Sequence, residues 1–240
     1  MRKLIVLLLA AGSVCWYCKH RCPKLIVPTL QQKAQHLVIF LNEKGEDDGL
    51  CTATAIGPHA ILTAEHCNKG DNPDTEITLD LSMEHRNLVS EFYDGRDHEI
   101  YLLDGPAFKN YLRPDELIEV APVRADEKVF IYGDGLGSYP PRRVDGQVDN
   151  DSNAIDFSDV DQELQAVWYT MAVVPGDSGS AIYASDGRVV GLVTYGIDST
   201  SRKSPSKRVV GFALGFSEKV ITRAHTFSPS DLTDAEGIKF

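Results

Sequence analysis

Long hydrophobic runs are scarce in this 240-residue sequence. The clearest lies near the N-terminus, Leu4 to Ala11, and even extended to Trp16 it is shorter than the roughly 20 residues that a membrane-crossing helix needs. Positive charge is also short: 24 Lys and Arg face 35 Asp and Glu, a formal net charge of -11. Such a surface repels phosphate backbones and anionic lipid, so nucleic acid is not an expected partner. Helical periodicity is nearly missing beyond residue 36, and no repeat recurs at a fixed period. The acidic stretch Asp145 to Asp161 lacks an Asp-x-Asp-x-Asp-Gly ladder, which excludes an EF-hand calcium loop and leaves a solvated loop.

What is present starts with an address. Arg2 and Lys3, the apolar run and the small residues Gly12 and Ser13 predict a signal peptide or short anchor over residues 1–14. The protein is therefore expected to be secreted or extracytoplasmic, with membrane contact only if this segment stays attached. Cys15, Cys18 and Cys22 crowd residues 15–35; three ligands with Lys and Arg between them make a poor zinc site, so no metal is assigned. Cys51 and Cys67 lie further on, where an exported chain can keep them oxidised.

From residue 36 to 222 the pattern is one of short β-rich runs separated by Gly, Pro, Asn and Asp. The class is all-β, with strands at 36–41, 50–56, 60–64, 76–81, 88–93, 99–103, 128–132, 165–171, 180–183, 189–195 and 209–216. Eleven or twelve strands suit two small antiparallel barrels or sandwiches. Pro106, Pro114 and Pro122 mark the crossover between an N-terminal half, about 36–110, and a C-terminal half, about 125–222. A short helix is expected around 218–224, and residues 223–240 read as a polar tail.

Two motifs carry chemistry. Pro175-Gly176-Asp177-Ser178-Gly179-Ser180 sits between two predicted strands, with glycines on both sides of Ser178. A serine hydroxyl is a weak nucleophile at neutral pH, so it needs a base for its proton and donors where an oxyanion will form. Glycines allow the tight turn that can aim the N–H groups of Gly176 and Ser178 at one point. The second motif runs from Leu50 through a Gly57-Pro58 turn to Thr63-Ala64-Glu65-His66-Cys67, placing His66 at the end of a β-hairpin.

Thr-Ala-Glu-His-Cys resembles the Thr-Ala-Ala-His-Cys motif of the trypsin/chymotrypsin-like serine proteases, and Gly-Asp-Ser-Gly-Ser resembles their serine motif, in the His, Asp, Ser chain order of that family. The resemblance covers residues 36–222 and implies two six-stranded antiparallel barrels with the active site in the cleft between them. It implies a Cys51–Cys67 disulfide closing the histidine loop, His66 as general base, Ser178 as nucleophile, and an oxyanion hole at Gly176 and Ser178. Residues 190–196 resemble the family's substrate-pairing strand. This puts Thr194, Tyr195, Gly196 and Gly211 around the S1 pocket and Ala172, six residues before Ser178, at its base. With no acid at Ala172, an uncharged P1 side chain is expected. The orienting acid is assigned to Asp97 in Asp97-His98-Glu99-Ile100-Tyr101-Leu102-Leu103; Glu99 is an alternative, because residues two apart in a strand share a face, and Asp94 or Asp104 remain open.

The implied activity is serine endopeptidase, a monomer acting on a polypeptide substrate without metal or cofactor. Two departures stand out. Glu65 replaces the family's alanine, and no Arg-Ile-Val-Gly-Gly-like activation site precedes His36, so Asp177 needs another partner than a new N-terminus. Two other readings keep the fold: an inactive homologue serving as a binding module, and a self-processing protease of viral or phage origin.

Overall fold

The computed structural model describes residues 38–43, 51–67, 76–79, 84–118, 124–133, 135, 141–149, 166–197, 206–212 and 214–232. The N-terminal segment with Cys15, Cys18 and Cys22, Ala213 and most of the acidic stretch lie outside them. Among the described residues no helix is long and apolar enough to cross a membrane.

Six strands form the first half: β1 (Val38–Glu43), β2 (Cys51–Gly57), β3 (Ala60–Ala64), β4 (Glu76–Leu79), β5 (Glu84–Tyr93) and β6 (His98–Leu103). They close an antiparallel barrel in the order β1-β2-β3-β6-β5-β4. Every residue of β2, β3 and β6 is buried, which is why β2, β3 and the Ile100–Leu103 part of β6 read as runs of mostly apolar and β-branched residues. The buried polar exceptions are Thr52, Thr54 and Thr63 and, at the start of β6, His98 and Glu99; of these, Thr52 reaches across to the second half of the molecule, where its hydroxyl donates to the Gly176 carbonyl.

The second half contains β7 (Lys128–Gly133), β8 (Arg142–Val148), β9 (Ala166–Val173), β10 (Ala181–Ala184), β11 (Val189–Leu192), β12 (Tyr195–Ile197) and β13 (Ser206–Phe212). Its sheet order is β11-β10-β7-β8-β9-β13-β12. The two end strands, β11 and β12, are consecutive in the chain and separated only by Val193 and Thr194, so the sheet curls until its ends meet. Counted as one interrupted strand, they make this half six-stranded, matching the two-barrel architecture expected from the sequence.

Strand β8 has no counterpart among the predicted strands. Only Val144 and Val148 of its seven residues are buried, so a pattern read from hydrophobicity passes over it. It is nevertheless central in the sheet, paired with β7 from Lys128↔Gln147 to Gly133↔Arg142 and with β9 from Gly146↔Met171 to Val148↔Tyr169. A one-turn helix, α1 (Asp115–Ile118), lies in the crossover.

Helix α2 (Glu218–Thr226) begins at Ser217, whose hydroxyl accepts from the Val220 N–H. Part of the segment read as a polar tail is thus built into the fold. Ala224 and Phe227 are buried in the core that holds Ile56, Ile61 and Leu102 of the first barrel, together with Phe130, Tyr132 and Tyr183 of the second. Burying Phe227 alone is worth about 1.5–3 kcal/mol. Set between Thr226 and Ser228, it is a single apolar residue in a polar stretch and forms no pattern in sequence. Below this shared core a separate cluster, including Ile131, Val144, Tyr169 and Val190, fills the second barrel.

Candidate active site

His66 occupies a 3-10 turn, Glu65–Cys67, directly after β3. A disulfide joins Cys67 to Cys51 at the start of β2, with the Cα atoms 6.1 Å apart. The covalent link therefore clamps both ends of the β2–β3 hairpin and fixes the residue preceding Cys67. Asp97 approaches from the neighbouring turn, because the pairing of Ala64 with His98 sets the start of β6 beside the end of β3. Its backbone has φ of 61°, a left-handed conformation that aspartate tolerates better than most L-residues. From there the Asp97 carbonyl accepts the Glu65 N–H at 3.1 Å. Oδ1 accepts the His66 N–H at 2.9 Å, and Oδ2 lies 2.8 Å from His66 Nδ1. One aspartate thus holds backbone and ring together.

The other carboxylates considered for this role are engaged elsewhere. Glu99 is fully buried on β6, opposite Tyr93 of β5 and Thr63 of β3; burial, together with its carboxylate, pushes the phenols of Tyr93 and Tyr101 up. Because Asp97 sits in the turn and not in the strand, the two-residue parity that would have aligned it with Glu99 does not apply. Asp104 accepts from the backbone and side-chain amides of Asn87 at 2.8 and 2.7 Å. Asp94 is bound to His98 Nδ1 at 2.7 Å and to the N–H groups of Arg96 and Gly215, both at 2.8 Å. Burial pushes the Asp94 carboxyl up, but His98 and these two N–H donors together outweigh it and hold the group below the usual carboxylate range. Glu65, beside this turn, is raised by burial first and then by the charges of Asp97 and Asp94.

The serine turn is seated on the histidine hairpin. Ser178 accepts the Thr52 N–H through its carbonyl at 2.8 Å, and Thr52 Oγ1 donates to the Gly176 carbonyl at 2.7 Å. Gly176 and Gly179 have φ of 99° and 79°, which L side chains rarely adopt. Gly179 is also required for space. A Cβ there would collide with the Thr52 carbonyl and Thr63 Oγ1, and would lie 2.9 Å from the Ala64 nitrogen, two residues before His66. Across the second barrel, Gly179 N–H donates to the Val193 carbonyl at 2.8 Å and Val193 N–H to the Ser180 carbonyl at 2.9 Å. Among the described residues, the N–H groups of Gly176 and Ser178 donate to no protein acceptor.

Asp177, between those two residues, points inward and is fully buried. Its Oδ1 accepts the Gly135 N–H at 3.0 Å; its Oδ2 accepts the Val174 N–H at 2.9 Å and pairs with Arg142 Nη2. Burial raises its carboxyl above the usual range, although Val174, Arg142 and Gly135 pull the other way. Arg142 belongs to the unpredicted strand β8, and no pattern in the sequence singles it out. The residues expected around S1 lie along β9, β12 and β13. Ala172 is exposed near the end of β9, and its carbonyl accepts from Arg142 Nη1 at 3.3 Å. Thr194 is buried between β11 and β12, Tyr195 and Gly196 of β12 pair with Val210 and Val209, and Gly211 is buried in β13.

The fold has counterparts in solved structures. The Rv3671c protease in its inactive form superposes with a TM-score of 0.60 at 16% identity, over 80% of this chain and 91% of that one. The active form of the same protease, from M. tuberculosis, gives 0.60 at 16% over 86% and 88%. The HtrA-type protease AlgW with a tripeptide gives 0.62 at 17%, over 82% of this chain and 63% of AlgW. At these identities the likeness concerns the fold. No curated protein matches the chain. The trypsin family model, however, matches residues 29–216, a span that holds both barrels, the histidine turn and the serine turn; the chain belongs to the trypsin family of serine proteases.

Proposed function

We propose that the chain is an endopeptidase that cuts polypeptides through an acyl-enzyme on Ser178. The observation that carries this reading is the seating of the Ser178 turn on the hairpin that ends in His66, through Thr52 N–H to the Ser178 carbonyl at 2.8 Å. With the Asp97 carboxylate accepting from Nδ1, the His66 ring keeps its proton there and leaves Nε2 as the base. His66 then takes the Ser178 hydroxyl proton as Oγ attacks the scissile carbonyl. The oxyanion is met by the N–H groups of Gly176 and Ser178, which have no competing acceptor among the described residues. His66 returns the proton to the leaving amine, and a water repeats the cycle to release the acyl group.

Ala172 brings no charge to the region assigned to S1, which favours an uncharged P1 side chain. The Cys51–Cys67 disulfide favours action in an oxidising compartment outside the cytoplasm. Intact-mass analysis after treatment with a fluorophosphonate tests the central claim. One adduct is expected on the wild type and none on Ser178→Ala or His66→Ala. A folded, disulfide-bonded wild type that takes no adduct overturns the reading.

A further inference from the structure

Between helix α2 and the β5–β6 ladder lies a cavity of about 360 Å³, within the size range of small-molecule sites. Its base is formed by Leu102 and Phe227, both buried, and its walls by Val89, Phe92 and Val220, each packed only in part. A regular strand could not supply that wall. Side chains alternate between the two faces of a strand, yet Val89, Ser90 and Phe92 all line the cavity. The register accounts for it: β5 advances from Leu88 to Ser90 while β6 steps only from Leu103 to Leu102. One extra residue is therefore inserted at Val89. A bulge of this kind re-aims a side chain, and here it turns Val89 to the same side as Ser90 and Phe92.

Positive charge gathers at the same place. The chain carries a formal net charge of -11, but the charged residues lining this cavity are Lys219 and Arg223, four apart and so on one face of α2. Among the described residues no Asp or Glu lines it. The Arg223 guanidinium lies over the Phe227 ring, 5.3 Å from its centroid, which sets a full positive charge above one of the two side chains of the base. Its ion-pair partner, Asp231, is 3.8 Å away with both side chains well exposed. Such a pair is weak, and a guanidinium has donors enough for a second anion.

We propose that this cavity binds an amphiphilic monoanion, a medium-chain fatty acid carboxylate, with the acyl chain against Phe92, Leu102 and Phe227 and the carboxylate between Lys219 and Arg223. A neutral chain would leave the two cations unused, and a purely polar anion would leave the apolar walls wet. At the roughly 30 Å³ that a water occupies in the liquid, the cavity has room for about a dozen non-hydrogen atoms, which matches decanoate. Occupancy requires neither Ser178 nor His66, so it is read by binding and not by turnover.

Isothermal titration of the full chain with decanoate at neutral pH, below the concentration at which decanoate self-associates, tests this. One site per chain is expected, with a melting temperature that rises as decanoate is added. Octanoate, two methylenes shorter, is expected to bind about 15-fold more weakly. Removing the charge pairing, either with decanol or with decanoate on the double variant Lys219→Gln, Arg223→Gln, is expected to weaken binding about 10-fold. Val220→Trp, which fills the cavity with an indole, is expected to abolish it. Circular dichroism without ligand establishes that each variant is folded; the double variant changes only exposed side-chain ends and keeps the test decisive should Val220→Trp misfold. A wild type that takes up no decanoate overturns the proposal, as does uptake that begins only where decanoate self-associates. So does equal binding of octanoate and decanoate, or undiminished binding to the folded double variant.

Discussion

Two histidine–aspartate pairs flank one short turn, and their geometry is almost the same. His66 Nδ1 lies 2.8 Å from Asp97 Oδ2; His98 Nδ1 lies 2.7 Å from Asp94 Oδ2. Their surroundings are opposite. The first pair is open, with side chains 34% and 13% exposed, and the second is sealed at 0% for both. Asp97 spends both oxygens on His66, gripping its backbone N–H and its ring. Asp94 distributes its own over His98, Arg96 and Gly215, tying β6 to the segment that follows β13. His98 Nε2 is buried with no hydrogen-bond partner among the described residues, so no substrate proton can reach it. The length of a hydrogen bond therefore does not reveal its use; access to the second ring nitrogen and the number of neighbours served by the carboxylate do.

The comparison is most exposed to Asp97→Asn. An amide in place of the carboxylate disfavours the useful tautomer of His66, and kcat should fall by about 10⁴-fold with the melting temperature little changed. An equal fall in Asp94→Asn would erase the distinction between the pairs. Asp94→Ala should act on stability instead, costing about 3–5 kcal/mol in urea unfolding, since it strips the acceptor from one buried imidazole and two N–H groups. Kinetics on the fraction that stays folded should show a far smaller loss than Asp97→Asn.

Removing the disulfide with Cys51→Ala and Cys67→Ala should cost about 3 kcal/mol. It should also loosen the His66 ring while leaving the His98 signals of an NMR spectrum in place; equal broadening at both rings would contradict the separation drawn here. The smallest effect concerns pH. The Asp94 carboxyl is depressed below its ordinary 3.8, so its contribution to stability is complete above that value and disappears as pH falls through the lower folded value. Thermal midpoints measured from pH 6 downward should therefore drop below about pH 3.8 more steeply in wild type than in Asp94→Asn.

How much of this was readable beforehand depended on the kind of signal. His66, Ser178 and the Cys51–Cys67 pair sit in compact runs whose residue types are dictated locally: glycines at positive φ, a hairpin end, a cysteine beside the histidine. Strands β2 and β3 are buried on both faces and announce themselves as apolar, and β6 does so from Ile100 onward. Asp97 was placed by its neighbours, yet the left-handed turn that aims it has no mark of its own in Asp94-Gly95-Arg96-Asp97. Strand β8 hid because a sheet can hold a central strand by backbone pairing while only Val144 and Val148 face the core, and Arg142 hid with it. The burial of Ala224 and Phe227 depended on contacts with residues more than 150 positions earlier, such as the Phe227 ring edge-on to His59 with centroids 6.4 Å apart.

That last contact sets an order of events during synthesis. The barrel that bears His66 is encoded first, but two of its core residues, Ala224 and Phe227, arrive only after every strand of the other barrel has been made. A nascent chain halted at β13 would hold the histidine and serine turns without the buried Ala224 and Phe227 that complete the core on the histidine side. The packing around the histidine hairpin is therefore completed from the far side of the second barrel in sequence.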